Sequence, residues 1–400
     1  MVKNHTRIGI VGTGYISRGF NLLLLQQTDF VVSRVLTRRD LNSCSEFPRQ
    51  DLLTQSLNEL IDHSDIIVEC SGDSLHAAEV TEQAFAASLP VVTMNAEFHV
   101  TCGSYFVSKG LLTEAEGDQP GCLAALTEDA VTMGFKPLVY GNVKGFHNPD
   151  PSFEDMQFWS KKQGISLPMV TAATDGTKLQ AEQVLVANGL NATIAQQGLL
   201  GYHSESLEND ALRLADIAKQ KDAPISDYII HPSEKVRVFL VAEHDQQQQA
   251  SLEYLKLGSG PFYTLSQNRV LCHLEILKTI KRVINLGTPL LNNSKLPTTS
   301  LCAIAKKDLS VGTRIAHGIG SFDVRGVAIK ISDHPEHIPI GLLFDAVVSK
   351  PIEKGEVLSF NHVEINPSLA LKAWLETKQQ VLTINKLKCE KTSSQQSAKL

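Results

Sequence analysis

The fold is decided by the stretch RIGIVGTGYISRG at residues 7–19, near the start of the chain. Its first half reads as an apolar strand and its second half as the beginning of an amphipathic helix, with a glycine-rich turn between them. The first two turn glycines permit a tight bend and a close approach of backbone to phosphate, while Ser17 replaces the usual third glycine. The helix N-terminus adds amide donors and the positive end of a dipole. We therefore predict a dinucleotide-binding loop at Gly12, Thr13, Gly14, Tyr15 and Ile16. A plain turn after the strand is the alternative.

Strands and helices continue to alternate after this loop. Apolar strands are predicted at 30–36, 66–70 and 90–94, with helices at 52–62 and 75–87 between them. Such alternation requires a parallel sheet covered by helices. The predicted fold class is therefore α/β, with an N-terminal doubly wound parallel sheet of the Rossmann type.

The sequence divides into three regions and a tail. The NAD(P)-binding domain is predicted to cover residues 1–145, and an α+β catalytic and oligomerisation region to cover 146–297. The latter includes an apolar stretch at 252–257 that we interpret as a strand. Short strands punctuated by turns predict a small β-rich module at 298–375, and polar composition predicts a disordered tail at 388–400.

Composition excludes several classes of protein. The chain has 400 residues, of which 42% are hydrophobic and 20% charged, as expected for a globular protein with two or three domains. The 43 acidic and 37 basic side chains give a net charge of −6, which argues against a nucleic-acid partner. The longest aliphatic run, 22–25, is too short to cross a membrane, and the seven cysteines include no CxxC pair. We expect a cytoplasmic protein without a metal site.

Polar residues after the predicted strands indicate how a nucleotide is bound. The second strand ends in Thr37, Arg38 and Arg39, where an acidic residue would bind a ribose diol. Arginine at this point favours binding of a 2′-phosphate, so we predict that NADP(H) is preferred and that NAD(H) is possible. The alternative is a basic turn that is only exposed to solvent. Ligands of open α/β sheets bind at the carboxyl ends of strands. The further predicted cofactor-binding residues are Arg38, Ser71, Gly72, Asn95 and Ala96.

Three glycine-containing segments carry the candidates for chemistry, at 117–121, 144–148 and 174–178. Hydride transfer at a carbon that bears oxygen needs a proton donor or acceptor, and a lysine near a carboxylate can be tuned for it. Asp118 and Asp175 have an alternative interpretation as helix N-caps. His273 lies in an apolar run and is interpreted as a core histidine. The predicted catalytic residues are Lys178, Lys144, Asp175 as the partner that orients the lysine, and Glu97, and the predicted substrate contacts are Asp118, Gln119 and His147.

Together these segments resemble the predicted homoserine dehydrogenases that carry a C-terminal SAF (antifreeze-like) domain. The segments that carry the resemblance are VVTMNAE at 91–97, GDQPG at 117–121, VKG at 143–145, DGTK at 175–178, GSGPFY at 258–263 and LCHLE at 271–275.

This resemblance implies an NAD(P)H-dependent oxidoreductase that acts on a small hydroxy or carbonyl substrate, such as a hydroxy amino acid, and forms homo-oligomers. The same group includes an enzyme similar in activity to 1-deoxy-D-xylulose 5-phosphate reductoisomerase, which implies a sugar phosphate as the alternative substrate. Glu97 stands where true homoserine dehydrogenases have a lysine, and this difference argues against homoserine itself as the substrate. A nucleotide- and sugar-binding sensor without turnover is the alternative outside enzymes.

Overall fold

The computed structural model describes the backbone of residues 5–397 and the side chains of residues 5–387. The N-terminal part is a six-stranded parallel sheet, called here the first sheet, in the order β3-β2-β1-β4-β5-β6. Its strands alternate with helices, which confirms the predicted α/β fold class. The strands are β1 (Thr6–Val11), β2 (Phe30–Leu36), β3 (Leu53–Thr54), β4 (Ile66–Glu69), β5 (Val91–Thr93) and β6 (Leu112–Glu114), and the helices are α1 (Tyr15–Leu24), α2 (Leu57–Asp62), α3 (Ser74–Ala86), α4 (Ala96–Phe98) and α5 (Ser104–Phe106).

The middle of the chain forms a second, mixed sheet. Its order is β11-β10-β7-β9-β8, where β7 runs parallel to β9 and antiparallel to β10. The strands are β7 (Lys136–Lys144), β8 (Tyr202–His203), β9 (Ile225–Ile230), β10 (Val238–Glu243) and β11 (Phe262–Gln267), and the helices are α6 (Gln119–Thr132), α7 (Phe153–Gln163), α8 (Leu167–Thr174), α9 (Thr177–Gly189), α10 (Leu207–Lys221), α11 (Gln249–Tyr254) and α12 (Ile276–Leu286).

This topology corrects two predictions. The domain boundary predicted at residue 145 lies too late, because β7 pairs with β9 and β10 instead of extending the first sheet. The predicted strand at 252–257 is wrong as well. Helix α11 occupies most of that stretch, and the strand that pairs with β10 is β11.

The C-terminal β module consists of a two-stranded and a three-stranded antiparallel sheet, and its first strand begins at Thr299. It shares one apolar core with the first sheet, in which Trp374 and Phe106 are both fully buried. The predicted disordered tail is corrected for 388–397, because the last helix continues through Ser397, and 398–400 lie outside the described residues. The elements are β12 (Thr299–Ala305), β13 (Arg314–His317), β14 (Val324–Lys330), β15 (Phe344–Val348), β16 (Val363–Glu364) and α13 (Leu369–Ser397).

Helix α9 lies at the centre of the molecule. Eleven of its 13 residues are buried, and it contacts β7 and β9 of the second sheet as well as β12 and β14 of the C-terminal β module. A helix that is enclosed on all sides cannot show an amphipathic pattern. It is therefore the element through which the second sheet and the module meet.

Candidate active site

A cavity of about 780 Å³ opens at the carboxyl edge of the first sheet and extends to α9. At one end it is lined by the glycine-rich loop and the residues after β2, and at the other by Asp118 and Lys178. Residues of the α7–α8 connection, Gly164 to Ser166, form part of its wall, together with Met169 of α8. The cavity therefore connects the predicted nucleotide-binding loop with the predicted catalytic lysine.

The glycine-rich loop has the backbone that phosphate binding requires. Gly12 has a φ of +99°, and a Cβ atom there would lie 3.0 Å from the carbonyl oxygen of Cys70. A Cβ atom at Gly14 would meet no protein atom within 4 Å, so the backbone faces open space where α1 begins. Thr13, Tyr15 and Ile16 line the same cavity. An elongated phosphate-containing ligand fits this arrangement, because the amides at the start of a helix attract anions.

Two arginines follow β2 at this end of the cavity. The Nη2 atom of Arg38 lies 2.7 Å from Oδ2 of Asp73, and the Arg38 side chain remains 60% exposed. Asp73 also caps α3 by accepting hydrogen bonds from the amides of Leu75 and His76. The Arg38–Asp73 pair fixes the position of one guanidinium, and Arg39 lines the cavity beside it.

The predicted cofactor-binding residues after β4 and β5 divide into two groups. Ser71 and Gly72 line the cavity. Asn95 and Ala96 are buried and are not among the described residues that line it, so their contact with a cofactor stays a prediction. Their burial has a local reason, because the Asn95 side chain accepts a hydrogen bond from the amide of Phe98 at 2.9 Å and caps α4. Met94, one residue earlier, lines the cavity instead.

Asp118 and Lys178, at the other end of the cavity, belong to a ring of charged and amide side chains. Nζ of Lys178 lies 3.0 Å from Oδ2 of Asp118 and 3.4 Å from Oε1 of Glu182. Nζ of Lys144 lies 3.1 Å from Oε2 of Glu182. In the orientation that satisfies both ends of its amide, Gln119 donates to Oδ1 of Asp118 at 2.7 Å and accepts from Nζ of Lys144 at 2.7 Å. These five residues, called here the lysine ring, come from α6, its N-cap, the end of β7 and α9.

The charges of this region fix the protonation of Lys178. Burial alone would lower its pKa, but the carboxylates of Asp118, Glu97 and Glu182 outweigh that effect and hold the pKa well above its ordinary value. Lys178 is therefore an ammonium group and a hydrogen-bond donor. This differs from a lysine whose pKa is lowered by desolvation to make it a base.

Glu97 lies behind the lysine ring. It is 3% exposed, is not among the described residues that line the cavity, and burial raises its pKa. Glu114 at the end of β6 is also buried, and burial raises its pKa well above the ordinary value. Glu97 thus influences Lys178 through its charge, whereas the prediction placed it against the substrate.

Asp175 does not orient Lys178, which corrects a second prediction. Its Oδ2 atom lies 2.7 Å from Nζ of Lys306 in the C-terminal β module, and its Oδ1 atom accepts a hydrogen bond from the amide of Thr177. His147, a predicted substrate contact, lies with Nε2 3.4 Å from the carbonyl oxygen of Asp175. It is half-buried beside Tyr228, away from the described cavity wall.

Sequence reasoning missed several residues in or beside this site, among them Glu182, Asn142 and Cys272. Glu182 follows Lys178 by one helical turn, and that spacing is a signal that could have identified it. Asn142 donates to Oε2 of Glu182 at 2.7 Å from the neighbouring strand, and Cys272 lines the cavity from a distant segment. His273, interpreted as a core histidine, is half-buried with its ring 5.7 Å from that of Tyr15.

The part of the chain that the structure describes holds neither a metal-binding cluster nor a membrane-spanning helix. Over that part, no cluster of three or more histidine, cysteine or acidic residues has an arrangement suited to a metal ion. None of the described helices combines the length and apolar character needed to cross a bilayer.

Comparison with known proteins finds a similarity to a family model in the middle of the chain. Residues 117–276 match the family model described as oxidoreductase DRL, catalytic domain. The matched segment contains every member of the lysine ring. This match supports the class of oxidoreductase for the chain.

Solved structures provide the second comparison. UDP-N-acetylglucosamine 3-dehydrogenase from Acidithiobacillus ferrooxidans is 11% identical, with a TM-score of 0.41 over 72% of this chain and 92% of that one. Biliverdin reductase from Synechocystis sp. PCC 6803, solved with biliverdin and NADP+, is 13% identical, with a TM-score of 0.38 over 71% of this chain and 92% of that one. No curated protein matches the sequence significantly.

Proposed function

We propose that the chain is an NADP(H)-dependent oxidoreductase that interconverts a carbonyl and a hydroxyl group of a small substrate. The observation that carries this proposal is that the glycine-rich loop lines the same cavity as Asp118 and Lys178 of the lysine ring. The match to an oxidoreductase catalytic domain supports the reaction class.

The chain's own residues fit a dinucleotide at the glycine-rich end. Gly14 and the first turn of α1 would hold the pyrophosphate, because the backbone there faces open space at the start of a helix. The amide of Gly12 donates to the carbonyl oxygen of Leu36 at 2.9 Å, so Gly12 shapes the turn instead. Arg38 and Arg39 would hold a 2′-phosphate through charge-assisted hydrogen bonds, which favours NADPH over NADH. The bound cofactor supplies the hydride, and the protein supplies orientation and the proton.

Lys178 would supply that proton in the direction of reduction. Its ammonium group donates a proton from Nζ to the substrate oxygen as the carbonyl carbon accepts the hydride, so that a hydroxyl group forms and the lysine is left as a neutral amine. Asp118 and Glu182 hold Nζ in place, and Lys144 offers a second ammonium beside it. A proton taken up from bulk solution then restores the ammonium group, so the reduction consumes one proton overall, and the raised pKa of Lys178 favours this uptake.

The substrate class has two candidates. A small hydroxy amino acid follows from the resemblance to homoserine dehydrogenases, with the C-terminal β module as an SAF domain. A sugar phosphate that is rearranged and reduced, as by a 1-deoxy-D-xylulose 5-phosphate reductoisomerase-like enzyme, is favoured by the two ammonium groups that share Glu182. Two adjacent donors suit the neighbouring oxygens of a hydroxy ketone. Cytoplasmic location and homo-oligomerisation stay predictions.

Calorimetric titration with NADPH and NADH, followed by absorbance at the reduced-nicotinamide band with a panel of substrates, tests this function. We expect tighter binding of NADPH and its oxidation by an amino-acid aldehyde or by 1-deoxy-D-xylulose 5-phosphate. Tight binding without turnover of any substrate would instead favour a sensor. Failure to bind either nucleotide would overturn the proposal.

A further inference from the structure

Helix α9 presents two different sets of residues to its surroundings. Lys178 and Glu182 belong to the lysine ring. Thr177 and Gln180 bond instead to β14 of the C-terminal β module, by accepting hydrogen bonds from the amides of Gly326 at 2.8 Å and Ala328 at 2.9 Å. The helix that carries the proton donor is thus hydrogen-bonded to the module through two side chains, three residues apart.

The contact at the start of α9 is an ion pair buried from water. Lys306, directly after β12, is 5% exposed, and Asp175 is fully buried. Nζ of Lys306 lies 2.7 Å from Oδ2 of Asp175 and donates to the carbonyl oxygen of Ser321, also at 2.7 Å. The second carboxylate oxygen of Asp175 accepts from the amide of Thr177 at 2.9 Å. The pair therefore connects the module to the first turn of α9.

A role in fixing the relative position of α9 and the module explains such a buried pair better than a contribution to folding stability does. The desolvation of two buried charges can exceed their mutual attraction, so a buried ion pair is weak evidence for a stabilising role. The best-attested use of buried polar groups is to fix one register between packed elements. Here that register sets the position of Lys178, which follows Asp175 by three residues.

We propose that the C-terminal β module positions the catalytic helix, with Lys306 as the positioning residue that acts through Asp175. This inference rests on the proposed function of Lys178. Loss of the Lys306 ammonium leaves the Asp175 carboxylate buried without its counter-charge. The turn at 175–178 then reorganises, and the Lys178 ammonium shifts away from the substrate oxygen.

Lys306→Met tests the proposal, with Lys307→Met as the matched control. Lys307 is the next residue, but its side chain is 60% exposed and pairs with Asp323 inside the module. For Lys306→Met we expect kcat to fall about 100-fold, since a displacement of about 1 Å can cost that much. The Kd for NADPH should stay within about twofold, because the nucleotide end of the cavity is untouched. Hydrogen–deuterium exchange of a peptide covering 175–183 should become faster. Lys307→Met should change none of these.

The double variant Lys306→Met with Asp175→Asn separates positioning from folding. It leaves no unpaired buried charge, so the thermal midpoint should recover relative to Lys306→Met, while kcat stays at least tenfold below the wild type. A folded single or double variant with wild-type kcat, or with unchanged exchange at 175–183, would overturn the proposal. Lys178→Met reports on the proposed function separately, because full turnover there would contradict that function whatever the result at Lys306.

Discussion

The two ends of the cavity are built in different ways. The nucleotide end is formed mainly by backbone, with an open position at Gly14 and exposed arginines beside it. The lysine ring is formed by side chains from several elements, and its charges are paired and largely buried. Affinity for a nucleotide and transfer of a proton should therefore be separable by mutation. A substitution at one end of the cavity should leave the other end intact.

Lys178→Met should have the largest effect. Removal of the ammonium takes away the proton donor, and a positioned acid or base contributes about 10²–10⁴-fold to rate. We expect kcat to fall within that range and the Kd for NADPH to change less than about threefold. Steady-state kinetics and calorimetric titration measure both.

Lys219→Met is the control for this variant, because Lys219 pairs with Glu243 on the surface and its side chain is 51% exposed. It should retain wild-type kinetics. If Lys178→Met loses nucleotide affinity by the same factor as it loses kcat, the two ends of the cavity are not separable.

Gly14→Ala should produce the reverse pattern. The added methyl group meets no protein atom within 4 Å, so the thermal midpoint should stay unchanged. It occupies the space needed for close approach of a pyrophosphate, and we expect the Kd for NADPH to rise about 10–100-fold, equivalent to about 1.4–2.8 kcal/mol. kcat at saturating NADPH should be retained.

Gly287→Ala is the matched control, because it also adds a methyl group in open space but at a φ of +63°. Strain in the left-handed region should lower its thermal midpoint without changing nucleotide affinity. Wild-type affinity in Gly14→Ala would remove Gly14 from the nucleotide site.

The same contrast explains how much of the site the sequence could predict. The glycine-rich loop is one continuous stretch, so its strand, turn and helix are readable from residues 7–19. Lys178 and Lys144 are predicted from the sequence because each lies in a short polar segment that contains a glycine. The partner of Asp175 was not, because Lys306 is distant in sequence and no local pattern specifies that contact.

Tertiary pairing accounts for the errors in the fold as well. The stretch 136–144 has the same apolar character as the strands of the first sheet, and only its pairing with β9 and β10 assigns it to the second sheet. Likewise, the apolar run at 252–257 fits either a short strand or a short helix by periodicity alone.

Arg38→Gln should have a smaller, selective effect at the nucleotide end. The preference for NADPH over NADH should fall about tenfold, because a charged hydrogen bond to the 2′-phosphate is lost. The Kd for NADH should stay nearly constant, and titrations with both nucleotides measure the ratio. Arg49→Gln, which removes a surface pair with Asp51, should leave the ratio unchanged. An equal loss of affinity for both nucleotides would place Arg38 away from the 2′-phosphate.

Glu114→Gln should have the smallest effect and concerns the buried acids behind the lysine ring. Burial raises the pKa of Glu114 in the folded protein well above 4.5, so the folded state keeps a proton that the unfolded state releases. That contribution to stability is complete below pH 4.5 and is lost as pH rises toward the folded value. Glutamine is neutral at every pH, so the thermal midpoint of the variant should gain on the wild type as pH rises above 4.5, by a few degrees at about 2–4 °C per kcal/mol.

The neighbouring His99, whose Nε2 lies 3.5 Å from Oε2 of Glu114, titrates with the opposite sign. Burial lowers the pKa of His99 to about 3, so its contribution is lost as pH falls below about 6.5. Both proteins share that contribution, and the difference between their thermal midpoints cancels it. Glu205→Gln, which replaces an exposed glutamate, is the control substitution. If the difference between the thermal midpoints of Glu114→Gln and the wild type does not change with pH, Glu114 is ionised in the folded protein. Lys178 would then have one more negative charge near it.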